Sequence, residues 1–115
     1  MPIKTFKDLD IYNLSYKLAM DIFNLAKTFP TEEKFSLISQ ITRSSRSICA
    51  NISEWWGKRK HENVFKKFLV DSCGSIQETK TWLDFAHDCN YISGEQHKEL
   101  MERLEVVGGK LWAPL

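Results

Sequence analysis

The sequence predicts an all-α protein, an antiparallel up-down-up-down four-helix bundle, and three observations carry that expectation. Apolar residues recur three and four apart through four long stretches. No stretch alternates with the period of two that a half-buried strand requires. The stretches are joined by short connections marked by Pro30, Gly57 and Asn90. Helices are expected at about residues 8–28, 32–56, 61–89 and 94–112, forming one domain over residues 1–115. A chain of this length buries a real core yet stays below the size at which chains usually split.

Helix one is expected to start near Asp8 as N-cap and to stop near Thr28, because Phe29 precedes Pro30 and is pushed out of the α region. Ile11, Leu18, Ile22 and Leu25 form one stripe, and Leu9, Tyr12, Tyr16, Ala19, Phe23 and Ala26 form a second beside it. A face that wide suits a helix packed on two neighbours. Thr31 is the expected cap of helix two, with Glu32 and Glu33 in its first turn, where carboxylates favour the positive end of the helix dipole. Ile38, Ile41, Ser45, Ile48, Ile52 and Trp55 then give a heptad rhythm, and Arg43 and Arg46 lie away from it on the outer face. Gly57 is the expected stop, as a left-handed C-cap.

Helix three carries Phe65, Leu69, Ser72, Ile76, Thr79, Leu83 and Ala86 on its heptad, flanked by Phe68, Ser75, Trp82, Phe85 and Cys89. At 1.5 Å per residue it spans roughly 40 Å, the length of a bundle. Gly74 in its middle is expected, with Ser72 and Ser75, to let a neighbouring helix come close. Asn90 is the expected end, and Ser93 with Gln96 forms a capping box that opens helix four. His97, Leu100, Leu104, Val107 and Leu111 make its core stripe. Gly108-Gly109 implies either fraying or a last turn held by packing of Trp112.

Composition limits the function classes. Apolar residues at 43% and charged residues at 27% describe an ordinary globular chain. No apolar run approaches the roughly 18 residues of a membrane span, and the first residues lack the apolar core of a signal peptide, so the cytoplasm is the expected compartment. Cys49, Cys73 and Cys89 are odd in number and widely spaced, which fits buried reduced thiols.

Charge is segregated. Residues 36–70 hold Arg43, Arg46, Lys58, Arg59, Lys60, Lys66 and Lys67 against two acids, Glu54 and Glu62, within a chain whose formal total is +1. Such asymmetry marks the surface expected to meet a polyanion or an acidic partner, though exposed cations are equally the ordinary furniture of a solvated helix face.

No catalytic constellation is present. Asp84-x-x-His87 occurs once, where a di-iron bundle needs two Glu-x-x-His pairs, so no metal and no cofactor are implied. The sequence has no Gly-x-Ser-x-Gly elbow and no glycine-rich phosphate loop. The chain is therefore expected not to be an enzyme. Glu54 and Glu78 read as partners in inter-helix hydrogen bonds or ion pairs with Asn51, Ser75 and Arg46 nearby, rather than as an acid–base pair. Trp55, Trp56, Trp82 and Trp112 read first as core or interface residues. The competing use is stacking of unpaired bases beside Lys58-Arg59-Lys60.

Residues 47–59, Ser-Ile-Cys-Ala-Asn-Ile-Ser-Glu-Trp-Trp-Gly-Lys-Arg, resemble the signature Ser-Ile-x-x-Asn-Ile-Ala-Glu-Gly-aromatic-Gly-Arg of a bacterial four-helix-bundle family. That family includes the 23S rRNA intervening sequence proteins and the accessory variability determinant of diversity-generating retroelements. Phe68-Leu69 followed by Gly74-Ser75-Ile76-Gln77-Glu78-Thr79 is similar to its second motif, and Trp82-Leu83 through Tyr91-Ile92 to its helix ending. One departure is Trp55, where the pattern has glycine. The resemblance implies a cyclic homo-oligomer, commonly a pentamer. For retroelement members it also implies binding to a reverse transcriptase and to RNA or DNA through basic surface.

Taken together, these readings give a non-enzymatic, self-associating accessory protein with no membrane partner. Nucleic acid would be bound by phosphate neutralisation at Arg43, Arg46, Lys58, Arg59, Lys60, Lys66 and Lys67, with Asn51, Glu54, Gly57, Gly74, Ser75 and Glu78 as structural motif residues. The alternative is a protein-interaction scaffold that binds no nucleic acid.

Overall fold

The computed structural model describes residues 3–111. Four helices account for most of them: α1 Asp10–Ala26, α2 Leu37–Gly57, α3 Glu62–Asp88 and α4 Gly94–Leu111. Each packs on its two neighbours in a closed square, α1 on α2, α2 on α3, α3 on α4 and α4 on α1. Cross-helix pairs run in opposite directions along each partner: Ser72 meets Ile48 while Thr79 meets Ser44, and Asp10 meets Lys110 while Asp21 meets Arg103. The result is the expected antiparallel four-helix bundle, 44 × 25 × 18 Å, with no strand among the described residues.

The predicted stripes form the core. Ile41, Ile48, Ile52, Trp55, Leu69, Ile76, Leu83, Ala86, Leu100, Leu104, Val107 and Leu111 are all buried, joined by Leu18 and Ile22 of α1. Tyr16, placed on the second stripe of helix one, is instead exposed, as are Leu14 and Met20. Burying that full face would take a partner beyond the two helices α1 touches.

The helix ends differ more from expectation than the helix bodies. Asp8 does not cap helix one. Its carboxylate accepts from the Lys4 and Thr5 amides and completes a capping box on the short 3-10 turn Phe6–Asp8, so the helix proper begins at Asp10. Those two amides hold the Asp8 carboxyl below its ordinary pKa. Thr31 likewise opens a 3-10 turn, Thr31–Glu33, and α2 starts only at Leu37. Glu33 accepts from Ser36 Oγ at 2.5 Å and from the Tyr91 hydroxyl at 2.9 Å, and these bonds hold its carboxyl below its ordinary pKa. Gly57 is the last helical residue, and no glycine among the described residues has positive φ, so the left-handed cap expected there is absent. Gly74 meets nothing within 4 Å of where a Cβ would sit and therefore permits no close approach.

The α3–α4 connection follows the sequence closely. Asn90 takes φ 63°. The Tyr91 amide donates to the Ala86 carbonyl and the Asn90 amide to the His87 carbonyl, the two bonds of a Schellman ending. Ser93 and Gln96 then make both bonds of the capping box. Gly108 and Gly109 are helical, and Leu111 is buried. Trp112 and its expected packing lie outside the described residues.

The cysteines also depart from expectation. All three are free, but Cys49 and Cys73 are half-buried and Cys89 is exposed. Heptad-flanking positions on a helix this long reach solvent at its end. Burial raises the Cys49 thiol pKa.

Candidate nucleic-acid interface

The basic residues picked from the sequence fall into two groups. Arg43 and Arg46 lie exposed on the outer face of α2. Lys58, Arg59 and Lys60 form the α2–α3 turn, about 18 Å further along from Arg46 at 1.5 Å per residue, and Lys66 and Lys67 follow, exposed, on α3. One residue of the turn has a structural role. Arg59 Nη1 donates to the Trp56 carbonyl at 2.8 Å, closing the end of α2, and its guanidinium lies 3.9 Å from the Trp56 ring centroid. The tryptophan beside the basic triplet is therefore already covered by a cation.

The cations of α2 and the turn after it differ from those that carry ion pairs. Lys17, Lys80, Arg103 and Lys110 each meet a carboxylate, respectively Asp21, Glu105, Asp21 and Asp10, and Lys67 meets Asp71. Arg43 binds Gln40 Oε1 at 2.8 Å, and Arg46 lies 5.1 Å from the Phe23 ring centroid. Among the described residues, Arg43, Arg46, Lys58, Arg59 and Lys60 have no carboxylate partner. Their charge is left to solvent or to a partner.

The motif residues build a different network from the one expected. Asn51 Nδ2 donates to the Ser47 carbonyl at 2.9 Å and to Ser47 Oγ at 3.0 Å, and Ser75 Oγ of α3 donates to the same Ser47 Oγ at 2.9 Å. Ser47 is thus the hub that ties Asn51 to Ser75. Glu54 is exposed and Glu78 half-buried, and among the described residues neither carboxylate has a hydrogen-bond or ion-pair partner, so the expected inter-helix role is not theirs. Hydroxyls do it because they are short enough for helices to close around them. Trp55, at the departure from the glycine pattern, sits in regular helix and is 5% exposed, filling the core at the end of α2.

The His87 and His97 rings lie 4.8 Å apart between centroids, tilted by 40°, with Asp84 on His97 at 2.8 Å and Asp88 on His87 at 3.2 Å. No group of three or more His, Cys, Asp or Glu is placed to hold a metal ion among the described residues. No described helix is long and apolar enough to cross a membrane.

Sequence reasoning passed over Lys34 and Phe35. Phe35 is 89% exposed and sits in the turn ahead of α2. It lies three residues before Ile38, so a helix starting at residue 32 would have carried it along the apolar stripe. The late start of α2 swings it out.

The chain's relatives match this fold. No protein of curated function matches its sequence. A crystal structure of a protein of unknown function from the S23 ribosomal protein family of Bacteroides thetaiotaomicron is similar, with a TM-score of 0.78 and 29% identity over 88% of this chain and 90% of that one. The family model for the 23S rRNA-intervening sequence protein matches residues 7–113, and the chain belongs to that family.

Proposed function

We propose that this protein is a non-catalytic, self-associating accessory protein of the cytoplasm that binds nucleic acid through its basic surface. The observation that carries this reading is the run of five cations without carboxylate partners on α2 and the turn after it, Arg43, Arg46, Lys58, Arg59 and Lys60, whereas Arg103 and several lysines elsewhere are neutralised in place. Such cations release counterions from a polyphosphate without first breaking ion pairs of their own. The family's retroelement resemblance adds a reverse transcriptase as a candidate partner.

Self-association draws support from a separate feature. Leu14 and Val106 are exposed in a groove of about 390 Å³ between α1 and α4, rimmed by Glu99 and Glu102. An apolar floor with an acidic rim complements a basic face on another copy, and a ring of copies, a pentamer by the family resemblance, would repeat the basic surface around its axis. The same groove favours the second reading, a scaffold in which the basic face meets only protein.

The test is a titration of single-stranded DNA and structured RNA at low and at physiological salt, with a Lys58→Ala/Arg59→Ala/Lys60→Ala variant alongside. Affinity is expected to fall linearly in log–log with salt, with a shallower slope in the variant. Absence of binding at low salt, from folded protein, leaves the scaffold.

A further inference from the structure

The groove between α1 and α2 differs from the rest of the basic surface. It has a volume of about 540 Å³, and its lining includes Phe23, Lys34, Phe35, Thr42, Arg43 and Arg46, with no acidic residue. Each aromatic in it is accompanied by a cation: Lys34 Nζ is 5.5 Å from the Phe35 centroid, while Lys27 Nζ and Arg46 are 4.4 and 5.1 Å from the Phe23 centroid. The two rings differ in accessibility. Phe23 is half-buried and already faced by two cations, whereas Phe35 is 89% exposed, with most of its ring surface open to solvent.

A ring this exposed loses apolar surface to water unless something covers it. The lining says what fits: three cations and no carboxylate, with Lys27 beside Phe23, favour an anion, and the open aromatic favours a flat π-face. One chemical unit combines both properties, a nucleotide with an unpaired base.

We infer that the α1–α2 groove is a single-strand subsite, in which an unpaired base stacks on Phe35 and its flanking phosphates lie on Lys34, Arg43 and Arg46. This rests on the nucleic-acid reading above and adds to it. Phosphate neutralisation alone does not distinguish single strands from duplex by their bases, whereas a stacking platform needs a base released from its pair. Trp56, the platform the sequence offered, is covered by Arg59; Phe35 is the open one. The Lys58–Lys60 turn then supplies sequence-independent charge, and the groove supplies the preference for unpaired strands.

The experiment compares oligo-dT, oligo-rU and a duplex of equal length against the wild type, Phe35→Ala, Phe35→Trp and the Lys58→Ala/Arg59→Ala/Lys60→Ala variant, with sedimentation of each protein. Because Phe35 packs little, its replacement leaves the fold intact. Phe35→Ala is expected to lose about tenfold in affinity for single strands, within the range for one stacked base, and nothing for duplex; Phe35→Trp is expected to restore it. If Phe35→Ala binds single strands as the wild type does while the triple variant is weakened, the subsite is refuted and the phosphate reading stands. If the wild type binds none of the three at low salt, both fall. If Phe35→Ala changes the sedimenting species and leaves single-strand affinity unchanged, the groove serves a second copy of the chain and the inference is overturned.

Discussion

The seam between α2 and α3 and the seams that hold α4 are built on opposite plans. Between α2 and α3 the bonds are inside. Ser72 Oγ donates to the Ile48 carbonyl at 3.0 Å, Ser75 to Ser47 at 2.9 Å and Thr79 to Ser44 at 2.9 Å, one above another along the interface, and Ser44, Ser72, Ser75 and Thr79 are buried. Around α4 the polar bonds are outside. Arg103 and Lys110 reach Asp21 and Asp10 of α1, and Glu105 and His97 reach Lys80 and Asp84 of α3. Short hydroxyls let two backbones approach and still satisfy themselves, while long charged chains close a seam only from its rim. The inner plan couples packing to hydrogen bonding; the outer plan ties its helices together at the surface.

The sharpest way to break the comparison is to cut the α2–α3 core. Ile48 is fully buried and its carbonyl receives Ser72. Ile48→Ala is expected to cost about 2–5 kcal/mol by lost burial and cavity formation, read as a fall in the urea midpoint at unchanged m. A loss under about 1 kcal/mol would mean that the seam collapses around the gap and is not closely packed.

The next effect isolates the hydroxyls from the packing. Thr79→Val keeps the shape and removes the hydroxyl that bonds Ser44 Oγ at 2.9 Å and the Ser75 carbonyl at 2.8 Å, at an expected cost of about 1–2 kcal/mol. Adding Ser44→Ala should then cost much less than it does alone, because its partner is already gone. Strict additivity in that cycle would show that the two hydroxyls do not act on each other.

These seams were unequally legible in the sequence. Helix bodies and core stripes could be read because burial imposes a period, and Asn90, Ser93 and Gln96 because their bonds are local. Helix starts were harder: Asp8 and Thr31 are good caps by type, but each serves a 3-10 turn, and Glu33 is claimed by Tyr91, 58 residues away. The left-handed cap expected of Gly57 and the close helix approach expected at Gly74 are both absent. For the candidate interface, the basic residues were visible as types, but which of them carry no carboxylate depends on long-range pairings such as Asp21 with Arg103. The exposure of Phe35 depends on where α2 begins. Neither is encoded within a window of neighbours.

The smallest expected effect belongs to the outer plan and tests it on its own terms. Asp21 accepts from Lys17 at 3.1 Å and Arg103 at 2.9 Å. Partial burial raises its pKa, but the two cations outweigh that and hold it below its ordinary 3.8. A depressed carboxyl contributes stability above its unfolded pKa and loses it as pH falls through the folded one. Asp21 is partly exposed, so solvent screening keeps the contribution near 0.2–1 kcal/mol, roughly the range for exposed pairs. Asp21→Asn should therefore lower stability by that amount at pH 5–7 and by progressively less below about pH 4, where the wild-type carboxylate is itself protonated. Added salt should shrink the difference at pH 7. Arg103 keeps a second, longer contact to Glu99 at 3.8 Å, which limits the loss. A deficit in Asp21→Asn that persisted unchanged at low pH and high salt would place the contribution of Asp21 in packing, and the division between an inner and an outer seam would no longer hold at this corner of α1 and α4.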